Sequence, residues 1–347
     1  MKIDMQKKQF LLYTVCIIFL LLILLFSFHT RKKESESKPL LTDTQIALDT
    51  VITISLYDSS DQDILADAFK LCRSYETVFS RTNEASELYK LNHSNSVHFK
   101  ASDDLASLID IGLKYSKISG GAFDISIAPV SSLWNFKSDS PKVPDDKVIQ
   151  AALPEIGYQN ILVDGKSIIR TDVGEQIDLG AIAKGYIADR IKDFLLEKGV
   201  NSAVINLGGN ILLVGDKPDG SDFNIGIQAP FKDREKTIAS IKISDKSIVT
   251  SGIYERYFTE NGKLYHHILN PETGYPYDND LMSVTIISEK SVDGDALSTT
   301  CFAMGLEKGM KYIESKDGLD GIFITKNGKK HYSSGIFESY DITEAEE

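Results

Sequence analysis

The feature that most constrains this chain is an unbroken apolar run close to its start. Residues 10–28 form 19 consecutive positions without a charged side chain, and most of them are aliphatic or aromatic. A helix of that length crosses the hydrocarbon core of a bilayer. Basic residues lie on both sides of the run, so they set its orientation only weakly. We therefore expect residues 1–33 to form an N-terminal membrane anchor with a single transmembrane helix.

A cleaved signal peptide is the alternative interpretation of this run. The apolar region of such a peptide is shorter and ends at a small-residue cleavage site. Here the run ends Leu-Phe-Ser-Phe-His, which is a poor cleavage site. Cys16 lies within the run, where it is badly placed to carry a lipid. The sequence favours a retained anchor but leaves cleavage open.

The remainder of the chain is acidic. Residues 1–33 hold six basic and one acidic side chain, and the whole chain has a formal net charge of −12, so residues 34–347 carry −17. A body of that charge is repelled by phosphodiester backbones, which argues against nucleic acid as a partner. Cys72 and Cys301 lie in helical apolar patterns, so we expect two buried thiols and no disulfide framework.

Strand and helix patterns follow one another irregularly after a polar linker at residues 34–41. Helical spacing of apolar residues predicts helices at 64–79, 105–118 and 181–196, the second with Ser102 as its N-cap. Alternating or continuous apolar residues predict strands at 51–56, 203–207, 211–214, 223–228, 237–243, 283–288 and 321–325. Because the two patterns do not alternate regularly, we predict an α+β domain at residues 42–340 rather than a doubly wound sheet.

The segment from Asp293 to Gly305 has the clearest chemical pattern. It follows an apolar strand and indicates a helix on which Asp295 and Thr299 lie one turn apart, on one face. A carboxylate and a hydroxyl suit a hard cation such as Mg²⁺, with water, a backbone carbonyl or a substrate phosphate completing its shell. The same residues also fit a first-turn acid that the helix dipole favours, beside an unrelated threonine.

Three other segments have weaker patterns. Asn206-Leu-Gly-Gly-Asn210 either lets a ligand approach the backbone closely or forms a plain hairpin turn. Lys184 lies near the start of a helix, where the dipole disfavours a cation, so it is either solvated or paired with an anion such as phosphate. His266 and His267 point to opposite faces of a predicted strand, so one of them can serve a pocket as a general base.

Together these segments resemble the ApbE family of FAD:protein FMN transferases, from about residue 48 to residue 325. The motifs stand in family order and at family-like spacing. They are Glu76-Thr-Val-Phe-Ser-Arg-Thr-Asn-Glu-Ala-Ser-Glu-Leu88, Gly120-Gly-Ala-Phe-Asp-Ile-Ser-Ile-Ala-Pro129, Leu133-Trp-Asn-Phe136, Ile177-Asp-Leu-Gly-Ala-Ile-Ala-Lys-Gly-Tyr186, Asn206-Leu-Gly-Gly209, Thr250-Ser-Gly252, His267-Ile-Leu-Asn-Pro-Glu-Thr-Gly-Tyr-Pro276 and Asp295-Ala-Leu-Ser-Thr299. The resemblance implies an ApbE-like α+β fold related to the T-fold, with a mixed sheet core and flanking helices.

The resemblance also implies a role for each matching residue. Asp295 and Thr299 match the side-chain ligands of Mg²⁺, and Ala181 matches the residue that gives it a backbone carbonyl. His267 matches the histidine that activates the acceptor hydroxyl. The positions that match flavin-nucleotide contacts are Leu48, Thr82, Ala122, Phe123, Asp124, Asp178, Lys184 and Leu269. Family members often have methionine at Leu48, tyrosine at Thr82 and aspartate at Asn270, so the resemblance is weakest for the details of FAD packing.

The implied reaction is transfer of FMN from FAD to a Ser or Thr hydroxyl of a target protein, with release of AMP. With the predicted anchor, this gives a single-pass protein of the cell membrane whose catalytic domain meets an extracytoplasmic acceptor protein. A metal-dependent FAD pyrophosphatase would use the same residues with water as acceptor, and the sequence does not separate it from a transferase. A non-catalytic flavin-binding protein is a third possibility, against which His267 argues.

Overall fold

The computed structural model describes residues 38–233 and 236–345 of the chain. The predicted anchor at residues 10–28 lies outside these ranges. Within them, no helix combines the length and apolar character needed to cross a bilayer.

The described residues fold into helices packed on antiparallel sheets. The longer helices are α1 (Gln62–Phe79), α3 (Asp103–Ile118), α6 (Ala183–Glu197), α7 (Ser291–Met304) and α8 (Leu306–Glu314). The short helices are α2 (Glu87–Asn92), α4 (Ala128–Ser131), α5 (Asp146–Ala152) and α9 (Ile336–Ser339), with 3₁₀ turns at Leu153–Glu155 and Tyr158–Asn160. The strands are β1 (Leu41–Ala47), β2 (Thr50–Leu56), β3 (His98–Lys100), β4 (Ile161–Asp164), β5 (Ser167–Arg170), β6 (Ala203–Leu207), β7 (Asn210–Val214), β8 (Phe223–Gln228), β9 (Thr237–Ile243), β10 (Ser247–Gly252), β11 (Tyr257–Glu260), β12 (Lys263–His266), β13 (Leu281–Ser288), β14 (Asp320–Thr325), β15 (Lys330–Tyr332) and β16 (Asp341–Glu344).

The main sheet has eight strands among the described residues, in the order β1-β2-β6-β7-β10-β13-β14-β15. Each neighbouring pair is antiparallel. The predicted α+β class is therefore confirmed, but the expected mixed sheet is wrong. Two-residue turns join β1 to β2 and β6 to β7, and such tight turns connect only antiparallel strands.

The two faces of the main sheet are covered differently. Helices α1, α3, α6 and α7 bury one face in the largest apolar cluster. A three-stranded sheet of order β16-β9-β8 covers part of the other face, and successive residues such as Ile286 and Ile287 belong to the two different clusters. This division follows from the alternation of side chains along a strand. On the helix-covered face of the main sheet, α6 and α7 contact each other.

The predicted elements lie close to the observed ones. The predicted helices at 64–79, 105–118 and 181–196 correspond to α1, α3 and α6, and the Ser102 hydroxyl accepts the Leu105 amide as expected of an N-cap. The sequence did not reveal β1, because the strand lies at the sheet edge with most of its side chains at least partly exposed. Strand β16 extends the fold past residue 340, where the predicted domain ended.

The crossing of α6 and α7 is unusually close at Gly185. A methyl group added there would lie 2.3 Å from the carbonyl oxygen of Ser291, which is backbone and cannot turn aside. Only glycine permits this approach. The crossing fixes the position of α7, because Asp189 of α6 accepts the first amides of α7, from Ser291 at 2.8 Å and Val292 at 3.0 Å.

We predict that Gly185→Ala lowers the free energy of unfolding by about 1–3 kcal/mol, since the new methyl group must push two helices apart. Gly112→Ala is the matched control, because Gly112 is also helical but its added methyl group would meet a movable side chain, Ile125, at 2.7 Å. Urea denaturation followed by circular dichroism measures both. A loss at Gly185 no larger than that at Gly112 would show that the crossing is not tight.

Candidate active site

Asp295 is the centre of the candidate site. It lies on α7 and is only 3% exposed. Its Oδ2 accepts the backbone amide of Gly185 at 2.9 Å, and both oxygens contact the Lys184 ammonium, at 3.2 and 3.4 Å. A buried carboxylate is stable only with partners of this kind. Helix α6 supplies these partners.

Lys184 therefore has the anionic partner that its position predicted. It lies in the first turn of α6, where the helix dipole opposes a positive charge. Its partner is Asp295, more than a hundred residues away in the chain. A solvated lysine, the other interpretation, is wrong, although the side chain stays partly exposed.

Thr299 lies one turn after Asp295 on α7, as predicted. It is partly exposed, whereas the neighbouring Ser298 and Thr300 are buried. Its Oγ1 lies 3.1 Å from the hydroxyl of Ser251 on β10. The hydroxyl and the Asp295 carboxylate thus share one helix face, at the side where α6 begins.

Ala181 stands just before α6, and its carbonyl oxygen is available. In a regular helix the Gly185 amide would donate to this oxygen. Here that amide donates to Asp295, and no hydrogen bond reaches the Ala181 carbonyl from residues 38–233 or 236–345. An unpaired carbonyl beside a carboxylate and a hydroxyl makes a set of hard oxygen donors, which is the set that Mg²⁺ prefers.

The donor set is sparse. No group of three or more His, Cys, Asp and Glu side chains that could hold a metal occurs in the part of the chain that the structure describes. A cation at Asp295 would depend on one carboxylate, one hydroxyl and one carbonyl, with the remaining positions left for water or substrate oxygens. Mg²⁺ commonly binds proteins in this way, so these residues fit the ion.

His266 is the last residue of β12 and His267 follows the strand, so the two rings have different surroundings, while the role of each stays a prediction. His266 is buried, and both ring nitrogens are occupied: Nε2 lies 2.9 Å from the Tyr277 carbonyl, and Nδ1 accepts the Ile268 amide at 3.3 Å. This pattern requires a neutral ring with the proton on Nε2. Burial lowers the pKa of His266 to about 4, which agrees with a neutral structural residue.

His267 is half-buried and, unlike His266, has a ring nitrogen without a partner. Its Nδ1 has no hydrogen-bond partner among the described residues. Burial, followed by the positive charge of Arg256, lowers the pKa of His267 to about 3. The Lys184 ammonium acts in the same direction, which places His267 near the Asp295 centre. At neutral pH the ring is therefore uncharged and able to accept a proton.

Asp178 joins the segments predicted to contact the flavin nucleotide. Its Oδ2 accepts the Ser131 hydroxyl at 2.7 Å and lies 3.4 Å from Nε of Arg81, next to Thr82. Its backbone amide donates to the Ile125 carbonyl at 2.7 Å, directly after the Ala-Phe-Asp segment. The fold therefore brings the Thr82, Asp124 and Asp178 regions together.

The Ala122-Phe123-Asp124 segment is held by its own neighbours. Asp124 is buried, and its oxygens accept the Ser126 amide at 2.8 Å and the Tyr158 amide at 3.1 Å. The Ala122 carbonyl accepts the Tyr277 hydroxyl at 2.8 Å. Burial raises the pKa of Asp124. Because the carboxylate is already engaged, Asp124 shapes this loop, and direct contact with a ligand stays a prediction.

The remaining predicted residues lie in three places. Leu48 occupies the β1–β2 turn at a φ of +52°, with its amide donating to the Glu76 carboxylate at 2.6 Å. Thr82 is exposed in the loop after α1. Leu269 is buried in a small cluster with Trp134 and Phe258. Their contacts with FAD stay predictions.

The glycine pair of Asn206-Leu-Gly-Gly-Asn210 forms the β6–β7 hairpin turn. Gly208 and Gly209 have φ values of +71° and +91°, which only glycine adopts readily. Asn210 has a further role that the sequence did not reveal, because its side-chain oxygen accepts the Ser291 hydroxyl at 2.7 Å, at the start of α7. The motif thus helps to position α7 from the sheet.

Three residues of the site were missed from the sequence: Asp189, Ser251 and Arg256. Asp189 holds the start of α7, and Ser251 contacts Thr299. Arg256 is exposed, accepts the His267 amide through its carbonyl, and its guanidinium forms no hydrogen bond or ion pair among the described residues. Ser251 did lie in the quoted Thr250-Ser-Gly252 motif, but only the fold brings that strand to α7.

Comparison with known proteins identifies the family of this chain. The model of the ApbE family matches residues 48–323. A protein of Klebsiella pneumoniae named FAD:protein FMN transferase is 38% identical over 285 residues, covering 81% of this chain and 88% of that protein. A protein of the same name from Treponema pallidum is 34% identical over 297 residues, covering 81% and 82%.

Solved structures show the same fold. The ApbE protein of Thermotoga maritima superposes with a TM-score of 0.78 at 31% identity, covering 88% of this chain and 99% of that one. The flavin transferase ApbE of Vibrio cholerae superposes with a TM-score of 0.77 at 25% identity, covering 86% and 98%. By sequence and by fold, this chain belongs to the ApbE family.

Proposed function

We propose that this chain is an FAD:protein FMN transferase that moves FMN from FAD to a Ser or Thr hydroxyl of an acceptor protein and releases AMP. The observation that carries the proposal is the buried Asp295 with Lys184 at its carboxylate, Thr299 one turn away, and the uncharged His267 nearby. The names of the relatives support the same activity. A transferase needs these parts together, whereas a flavin carrier does not need a free base.

Asp295, Thr299 and the carbonyl of Ala181 would hold Mg²⁺, which in such sites supplies a Lewis acid that neutralises pyrophosphate charge. Lys184 keeps a positive charge beside the same carboxylate, where an incoming phosphate would meet it. These cationic groups matter because residues 34–347 carry −17, which would otherwise repel FAD.

His267 would act as the general base. The acceptor oxygen forms a bond to the FMN-side phosphorus while its proton passes to the imidazole of His267. The bond between that phosphorus and the bridging oxygen breaks, and its electron pair leaves with AMP. A neutral ring with an unpaired nitrogen has a lone pair that can accept this proton. If water replaces the acceptor, the same residues give a pyrophosphatase, which the assay below distinguishes.

We also propose that residues 1–33 anchor the protein in the cell membrane, residues 34–41 form a linker, and residues 42–340 contain the catalytic domain, outside the cytoplasm. The apolar run at residues 10–28 and the poor cleavage site after it support this arrangement. The acceptor would then be an extracytoplasmic protein at the same membrane.

Asp295→Asn should slow FMN transfer by about 10²–10⁴-fold, because the amide keeps the shape and the Gly185 hydrogen bond but removes the charge that holds a cation. The assay incubates the protein with FAD, Mg²⁺ and acceptor and measures flavin fluorescence on the acceptor in a denaturing gel. Asp293→Asn is the control: Asp293 lies on the same helix but contacts Tyr115 instead, at 2.6 Å. Near-normal transfer by Asp295→Asn at low Mg²⁺ would contradict the assignment.

His267→Gln should slow transfer by about 10²–10⁴-fold, the usual contribution of a general base, with a smaller change in FAD affinity. His266→Gln should lower stability while the folded protein keeps most of its activity.

Because the pKa of His267 is about 3, its ring stays neutral as the pH falls from 8 to 5, so this residue should cause no loss of activity over that range. If FAD is cleaved without labelling the acceptor, the protein is a pyrophosphatase.

Removing residues 1–33 should leave transfer to a soluble acceptor peptide nearly unchanged and should reduce transfer to a membrane-tethered acceptor, because the anchor raises the local concentration of enzyme. Intact mass of the membrane-associated protein should include residues 1–33. A mature chain that begins near residue 30 and is released to the medium would show that the segment is a cleaved signal peptide.

A further inference from the structure

Strand β10 and helix α7 face each other through a short chain of hydroxyl groups. The Oγ atom of Ser251 lies 2.8 Å from Oγ of Ser298 and 3.1 Å from Oγ1 of Thr299. The Oγ atom of Ser298 lies 2.9 Å from the backbone carbonyl oxygen of Asp295. The chain thus begins at a carbonyl of the candidate site and ends at the Thr299 hydroxyl.

The direction of every hydrogen bond in this chain is fixed by counting protons. Each hydroxyl has one proton to donate, and a carbonyl oxygen can only accept. Ser298 must therefore donate to the Asp295 carbonyl, which uses its only proton. Ser251 must then donate to Ser298, which uses the Ser251 proton. The contact between Thr299 and Ser251 is consequently made by the Thr299 proton.

From this direction we infer that Ser251 is a positioning residue that orients the Thr299 hydroxyl for cation binding. With its proton held by Ser251, Thr299 keeps its oxygen lone pairs free and its positive end turned away from the cation. Without Ser251 the hydroxyl can rotate and present its proton instead. The inference rests on the proposed function, because it deepens the metal site at Asp295 and Thr299.

The residue before Ser251 supplies a matched control. Successive side chains of a strand point to opposite faces, and Thr250 accordingly pairs with Thr285 of β13, at 2.8 Å between the hydroxyls. Thr250→Val removes one hydroxyl from the same strand and breaks one hydrogen bond, on the face away from Ser298 and Thr299. A general disturbance of β10 would affect both variants equally.

The test measures binding of Mn²⁺, as a probe for Mg²⁺, to the full-length protein in the presence of FAD, by calorimetry and by electron paramagnetic resonance of the free ion. Ser251→Ala should weaken Mn²⁺ binding about 10- to 100-fold, the usual effect of losing a group that orients a metal ligand. Thr250→Val should bind Mn²⁺ as the unaltered protein does. In Ser298→Ala the Ser251 proton is free to point at Thr299, so this variant should also bind Mn²⁺ more weakly. It tests the inference if Ser251→Ala does not fold.

Kinetics give a second readout that loss of folded protein would not produce. In Ser251→Ala the Mg²⁺ concentration for half-maximal transfer should rise, while kcat at saturating Mg²⁺ should return close to that of the unaltered protein. If the unaltered protein binds Mn²⁺ and both serine variants bind it equally well, the inference is overturned and the proposed function stands. If the unaltered protein does not bind Mn²⁺ in the presence of FAD, the metal site itself is wrong and the inference falls with it.

Discussion

The interaction on which the structure depends is the buried contact between α6 and α7 at Asp295. A carboxylate that is 3% exposed is costly unless its charge and its lone pairs are matched. The match comes from the Gly185 amide at 2.9 Å and the Lys184 ammonium at 3.2 Å, and it requires two helices to approach to the distance that only glycine allows. The same contact diverts the Gly185 amide from the Ala181 carbonyl. The close crossing of α6 and α7 therefore brings together the Asp295 carboxylate, the Lys184 ammonium and the free Ala181 carbonyl.

Residues of the main sheet also position α7 and the Thr299 hydroxyl. Asn210 of β7 holds the start of α7 through Ser291, and Ser251 of β10 contacts the Thr299 hydroxyl. His267 directly follows β12, and its low pKa results from burial and from Arg256 beside it. Lys184 and Arg256 both place positive charge near His267 on an otherwise acidic chain. These two charges support the proposal that an anionic dinucleotide binds there.

The sequence predicted the local parts of this site and missed the long-range ones. Asp295 and Thr299 share a helix face because of helical geometry alone, and the apolar pattern was sufficient to place them. The partner of Lys184 lies 111 residues away, and Ser251 lies 48 residues from Thr299, so both contacts depend on how the strands are ordered. The same limit explains the sheet: apolar patterns locate strands but do not say which neighbours pair, and the expected mixed sheet is antiparallel.

The central claim is that Asp295, Thr299 and the Ala181 carbonyl together hold the cation that activates FAD. The most direct measurement is a crystal structure of the protein with FAD and Mn²⁺, with anomalous scattering recorded at the manganese absorption edge. Our account predicts one strong anomalous peak in contact with the Asp295 carboxylate, the Thr299 hydroxyl and the Ala181 carbonyl, beside the FAD pyrophosphate. An FAD complex in which the peak lies elsewhere, or in which Lys184 alone occupies the Asp295 carboxylate, would contradict it.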